Sequence, residues 1–282
     1  MEDILTINNL TKNYGEFCLR IPSLSIPKGA IVGVVGENGA GKTTTIKAIF
    51  SLIGRESGNI EFNGKDIDSL TLQERAKLAL CFDESTLPPN FKLSTIDKYG
   101  SMMFPSWDKE LWASLISKLD LPQDKAIKQF SKGMKAKAQL AFALSHSPSL
   151  LVLDEITSSM DPVIRDEVLG LLQEFITDGE RTVLLSSHLT SDLDKIADMI
   201  IFIHKGEILL TATRDQLDHD LAIVKANGEI EDEGHILSRI TKKYSVEYLI
   251  DNKTEFSRIN KDIVIDKATA EDILLFMAKK EE

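Results

Sequence analysis

The chain of 282 residues carries a net charge of -11, with 43% hydrophobic and 27% charged residues, the balance of a folded globular protein with room for one large domain and a small extension. That composition excludes fibrous and disordered classes, and the acidic total disfavours nucleic acid as a partner, because nucleic-acid binders usually present a basic face. The two cysteines, Cys18 and Cys81, lack metal-ligand spacing and read as small buried residues of a reducing compartment.

The first residues, MEDILTINNLTKNYGE, place no basic region ahead of an apolar segment and do not read as a secretory signal. Apolar runs such as MIIFI at 199–203 fall well short of the roughly 20 residues that span a bilayer, so any membrane role is expected to run through a partner. ILTI at 4–7 reads as a strand, with Tyr14 beyond it. IVGVV at 31–35 reads as a second strand and leads into Gly36, Glu37, Asn38, Gly39, Ala40, Gly41, Lys42 and Thr43, which fit G-x-x-x-x-G-K-[ST]; Thr44 continues into an apparent helix, TTTIKAIF. That strand, loop and helix context is what a phosphate cradle needs. The glycines let successive backbone N–H groups curl toward phosphate oxygens, and the helix N-terminus adds a favourable dipole. Lys42 would reach the β- and γ-phosphates and the Thr43 hydroxyl would ligate Mg²⁺. A dinucleotide pattern, G-x-G-x-x-G, is absent there, which disfavours nicotinamide or flavin chemistry.

LALCF at 78–82 reads as the next strand, and the segment 84–148 as a helical insertion punctuated by Pro88, Pro89, Pro105 and Pro122. A helical pattern over 132–146 closes it, with Ser131 as its expected N-cap. LLVLDE at 150–155 is a buried strand ending in two carboxylates. Such a pair also occurs as a plain turn and helix cap; beside a phosphate cradle, Asp154 is expected to hold Mg²⁺ largely through water and Glu155 to polarise the attacking water. A helix over 162–177, TVLLS at 182–186, SSHLTSD containing His188, and MIIFI complete an alternation of strand and helix that implies a parallel α/β core. Beyond about 210, AIVKA, VEYLI and DIVID read as strands and 269–279 as a last helix. The expected organisation is therefore a domain over 1–212 and a small accessory α+β domain over 213–282.

FSKGMKAK at 130–137 resembles the signature of ABC-type ATPases, usually written LSGGQ, and the order Tyr14, cradle, signature, LLVLDE, SSMD at 158–161 and His188 agrees with that family over residues 3–210. The resemblance implies a P-loop NTPase fold with a mostly parallel sheet, an antiparallel β subdomain and a helical insertion. It implies an ATPase using ATP and Mg²⁺. Tyr14 would stack on adenine, residues 36–44 would hold the phosphates, and Glu155, His188 and Lys42 would form the catalytic set. Thr43, Asp154 and Asp83 would face the metal. Ser131 and Gly133 would contact the γ-phosphate of ATP held by a second chain, and Asp161 would link the two sites. The implied partners are a second copy or a paralogous subunit, arranged head to tail around two ATP, and an integral membrane transporter subunit meeting the surface 84–120 at the cytoplasmic face of the membrane; nucleic acid is not among them.

The sequence departs from that pattern in several places. Asp83 stands where the family usually has a glutamine, and an ionised carboxylate can ligate Mg²⁺ but cannot donate a hydrogen bond. Ile156 replaces a proline, and Lys132 and Met134 occupy signature positions where Gly and Gln are common. FSKGMKAK together with FPSWD at 104–108 resembles the bacterial subgroup that exports peptides or antimicrobials. Two other classes stay open at this point: a soluble ATP-driven factor, whose relatives usually carry paired ATPase units or a long coiled coil that this chain lacks, and a nucleotide-gated regulatory module with little turnover.

Overall fold

The computed structural model describes residues 2–279 apart from 227–229, 231–233, 243–244 and 261–262. Strands β1 (Asp3–Asn13) and β2 (Cys18–Pro27) form a hairpin, and β3 (Ile31–Val35) runs into helix α1 (Lys42–Ile49). β4 (Ser57–Phe62), β5 (Lys65–Asp66), the short α2 (Leu72–Arg75) and β6 (Leu78–Phe82) follow, then the helices α3 (Leu93–Met103), α4 (Lys109–Lys118) and α5 (Lys132–Ser145). The chain continues through β7 (Leu150–Asp154), α6 (Pro162–Phe175), β8 (Thr182–Ser186), α7 (Thr190–Ile196), β9 (Met199–His204) and β10 (Glu207–Thr213). The last part holds β11 (Ala222–Ala226), β12 (Ile236–Thr241), β13 (Val246–Ile250), α8 (Lys253–Ile259), β14 (Ile265–Lys267) and α9 (Ala270–Lys279).

The first ten strands make one sheet, in the order β5-β4-β1-β2-β10-β9-β3-β8-β7-β6. From β9 to β6 the neighbours are parallel, whereas β1 pairs antiparallel with both β2 and β4. The two halves meet between β10 and β2 at a single parallel pair, Glu207 with Arg20. The parallel strands are covered on both faces, which is why their residues are apolar in runs and do not alternate with polar ones. Strand alternation divides them between two cores: Ile31, Leu151, Leu153, Val183, Leu185, Ile200 and Phe202 point to the helical side, and Val32, Val34, Leu150, Val152, Leu184, Ile201 and Ile203 to the other.

The insertion packs around aromatic residues. Trp107 donates its indole N–H to Asp97 Oδ1 at 2.8 Å and lies against Trp112 and Phe142. His146 stacks on Phe104 with centroids 4.2 Å apart, and burial pushes its pKa down to about 4, so it sits there as a neutral ring. Between β6 and β7 no strand occurs among the described residues, as the proline punctuation leads one to expect. α5 does more than close the insertion, since it also lies on β6, where the Cys81 thiol contacts Gln139 O and is pushed up to about 12 by burial. Cys18, at the start of β2, is only half-buried.

The four remaining strands form a second, antiparallel sheet in the order β12-β13-β11-β14. Of the expected strand DIVID only Ile265 and Asp266 pair, and Asp262 lies outside the described residues. This sheet and α9 share a core with the large domain: Leu193 and Ile196 of α7 belong to the same cluster as Ala270, Ile273 and Phe276 of α9. The Ala270 N–H donates to Asp194 Oδ1 at 3.3 Å, and the Arg214 guanidinium donates to the carbonyls of Ala197 and Leu193, at 2.6 and 3.1 Å. Among the described residues no helix is long and apolar enough to cross a membrane.

Candidate functional site

The site is built where β3, β8 and β7 end side by side. Leaving β3, the chain presses against β9 at Gly36, where an added Cβ would stand 2.3 Å from the Ile203 carbonyl oxygen. The loop closes at Gly41, whose φ of 116° is open to glycine and closed to nearly every other residue. Gly41 also serves as the N-cap of α1 without a side-chain cap, so the first turn of that helix presents its backbone donors to the cleft beside it. Gly36 and Gly41 thus shape the loop, one by its close approach to β9 and the other by its positive φ.

Lys42 follows at once. Its side chain is 4% exposed and folds back over the loop, donating to Gly36 O at 2.7 Å and Glu37 O at 3.1 Å. Its third neighbour is Glu155 Oε1 at 3.3 Å. Asp154, the last residue of β7, is buried, and each of its oxygens accepts a hydroxyl hydrogen bond: Oδ2 from Thr43 at 2.8 Å and Oδ1 from Ser186 at 2.6 Å. Ser186 is a site residue that the sequence reading passed over as the end of a strand. Its hydroxyl and carbonyl oxygens also lie 3.2 and 3.1 Å from the Glu155 N–H, which turns the chain just past Asp154.

Glu155 itself adopts φ 53°, an uncommon left-handed conformation for a residue with a Cβ. Strain of this kind persists where the surroundings over-determine it, and it gathers at working sites. Here it carries the carboxylate between two nitrogen groups, Lys42 Nζ on one oxygen and His188 Nδ1 at 3.2 Å on the other. Lys42, Thr43, Asp154, Glu155 and His188, five residues predicted from separate motifs, therefore form one connected group.

A cleft of about 490 Å³ opens above this group, walled by Asn38, Gly39, Lys42 to Thr44, Asp83, Asp154, Glu155 and the ring of Phe17. A smaller adjoining cleft of about 280 Å³ also uses Phe17, with Glu37, Ala40 and Lys205. Phe17 is the aromatic residue that the sequence reading missed; the signal for it was only its place beside Tyr14 in the turn NYGEF. Tyr14 does not line either cleft. It is 53% exposed, hydrogen-bonds Phe17 O through its N–H at 2.8 Å, and has Lys12 Nζ 5.2 Å from its ring centre.

Three further predicted residues lie apart from the cleft walls. Ser131 caps α5 by accepting from the Met134 N–H at 3.2 Å, with Gly133 in the same turn, and Asp161 caps α6 by accepting from the Ile164 N–H at 3.1 Å. The chain alone does not bring them to its own Lys42. Thr43, Asp154 and Asp83 offer hard oxygen donors at the cleft, the chemistry that suits Mg²⁺, and Asp83 Oδ1 is buried with no hydrogen-bond partner among the described residues. No group of three or more His, Cys, Asp or Glu residues placed to hold a metal occurs among the described residues. Mg²⁺ fits this better than most metals, since it is commonly held by one or two carboxylates together with substrate phosphates.

Comparison with known proteins gives a consistent result. A family profile described as ABC transporter matches residues 19–158. The lantibiotic transport ATP-binding protein of Streptococcus pyogenes is 34% identical over 215 residues, spanning 75% of this chain and 92% of that protein. The linearmycin resistance ATP-binding protein of Bacillus subtilis is 32% identical over 228 residues, spanning 76% of this chain and 70% of that protein. Among solved structures, an ATP binding subunit of an ABC transporter superposes with a TM-score of 0.69 at 24% identity, over 76% of this chain and 91% of that one.

Proposed function

Because the chain belongs to the ABC transporter family as an ATP-binding subunit, we propose that it drives export of a peptide or antimicrobial through a separate integral membrane subunit, at the cytoplasmic face. In the relatives the names speak of lantibiotic, linearmycin and bacitracin, and this group of compounds supports the choice of cargo class. The observation that carries the catalytic part is the placement of the Glu155 carboxylate between Lys42 and His188, next to Asp154.

In this reading Lys42 and the amides of residues 36–44 bind the β- and γ-phosphates. Thr43 and Asp154, with Asp83, would hold Mg²⁺, which when bound neutralises charge on the phosphates. Glu155 accepts the proton of the attacking water, and His188 orients Glu155 and the γ-phosphate. Ser131, Gly133 and Asp161, which lie off the chain's own cleft, serve a second copy or a paralogous subunit arranged head to tail. Residues 213–282 form the accessory domain, joined to α7.

Tyr14, whose backbone N–H bonds the Phe17 carbonyl, would offer its ring to adenine. Tyr14→Ala is expected to weaken binding of a fluorescent ATP analogue by about tenfold, the scale of one base stacked on an aromatic ring, while Tyr14→Phe retains it. Equal affinity in all three proteins would remove Tyr14 from the site. The transport reading is tested by purifying the tagged chain from native membranes in mild detergent. A polytopic membrane protein at stoichiometric amount is expected; recovery of the chain only from the soluble fraction, alone or with ribosomes, would replace transport with the soluble-factor reading.

A further inference from the structure

The two unusual residues Asp83 and Lys132 meet in space. Lys132, the first residue of α5, donates to Asp83 Oδ2 at 2.7 Å across 49 positions of sequence. Asp83 is also the wall shared by two clefts, the nucleotide cleft and a second of about 560 Å³ lined by Glu84, Ser85, Lys132 and Lys135. Its oxygens differ: Oδ2 is held by Lys132 and Oδ1 is buried without a hydrogen-bond partner among the described residues.

The loop bearing Asp83 is clamped to the same helix from behind. Gln139, 3% exposed, donates Nε2 to Phe82 O at 3.0 Å and accepts at Oε1 from the Thr86 N–H at 2.8 Å. Residues 82–86 and α5 therefore share one buried amide clamp and one surface ion pair. These differ in kind. A buried amide with both groups satisfied is costly to break, whereas the ion pair joins side chains 58% and 37% exposed and exchanges easily with other counter-ions.

We propose that Asp83 and Lys132 form a nucleotide-responsive latch, with Gln139 as the positioning residue that keeps its two halves in register. Asp83 holds Lys132 within the chain; nucleotide with its divalent cation draws the carboxylate toward the cleft, and Lys132 is released to meet a phosphate carried by a second copy. The change is an exchange of counter-ions around one carboxylate and one ammonium, with no covalent step. It rests on the head-to-tail reading of Ser131 and Gly133 given above, since Lys132 lies between them.

The test uses the full chain carrying Glu155→Gln, with two measurements: affinity of the dilute chain for a fluorescent ATP analogue, and ATP-dependent self-association by light scattering. Adding Lys132→Gln should leave the affinity within about twofold but weaken association by about tenfold, the scale of one charge-assisted contact. Adding Asp83→Asn, which keeps an oxygen donor toward the cation, should at saturating nucleotide shift association the opposite way, to lower protein concentration, because Lys132 is free from the start. Same-sign effects of the single variants would overturn the latch and leave the paired arrangement standing. If the Glu155→Gln parent shows no association with ATP, the paired arrangement fails and the latch with it.

Discussion

Replacing Glu155 with glutamine is expected to slow ATP hydrolysis by about 10²- to 10⁴-fold, the usual contribution of a positioned general base, while ATP remains bound and holds two chains together. The substitution keeps the shape of the side chain and removes only its charge and basicity. The residues proposed to bind phosphate are untouched: the Gly36 to Gly41 loop, Lys42 and the Thr43–Asp154 hydrogen bond lie outside the change. Losing the 3.3 Å ion pair with Glu155 also leaves Lys42 free for phosphate. Phosphate release and light scattering on the same sample measure both halves of the expectation. Hydrolysis at the wild-type rate would remove Glu155 from catalysis, and slow hydrolysis without ATP-dependent pairing would separate catalysis from assembly.

Gly36→Ala is expected to damage both fold and binding. The added methyl group would stand 2.3 Å from the Ile203 carbonyl oxygen and 2.8 Å from Ile203 Cγ2, and β9 is an inner strand with neighbours on both sides, so neither can withdraw cheaply. Overpacking of this sort costs about 1–3 kcal/mol, which lowers the melting temperature by several degrees in a domain of this size. The loop would be lifted from the strand, and Lys42, anchored at 2.7 Å on the Gly36 carbonyl, would move with it. Nucleotide affinity should then fall at least ~10-fold, the scale of one charge-assisted hydrogen bond. Gly39→Ala is the control, because nothing lies within 4 Å of its would-be Cβ and only its φ of 83° is strained. A melting curve and a titration with a fluorescent ATP analogue decide the matter: wild-type values for Gly36→Ala would mean that the close approach to β9 is not what shapes the cradle.

Much of the parallel core and of the candidate site was legible because its signals are local. IVGVV and the glycine loop occupy consecutive residues, and LLVLDE announces by itself both a doubly buried strand and its terminal carboxylates. Helices 132–146 and 162–177 were expected to within two residues, since Ser131 and Asp161 are ordinary N-caps and α6 has Pro162 at its first position. The antiparallel half was harder to read. β2 contains Pro22, which argues against a strand; it is tolerated because beyond its hairpin partner β2 is joined to β10 at one residue pair only, so most of that edge needs no N–H donor. Phe17 and Ser186 escaped notice for a different reason: each acquires its role from residues far away in sequence. The same holds for Asp83 and Lys132, which read as two unrelated departures until the fold placed them 2.7 Å apart, and for the extension, where β11 and β13 were visible but β12 and the shared core with α7 were not.

The join between the two halves of the large sheet has a mechanical consequence. The loop 36–41 springs from the parallel half, while Phe17 arrives on the hairpin of the antiparallel half; between them the Arg20 N–H donates to Gly206 O at 2.7 Å, and Leu19 and Ile21 share one core with Val34 and Ile203. A nucleotide lying along the cleft would touch both halves, so part of its binding energy would add to the shared core in holding them together.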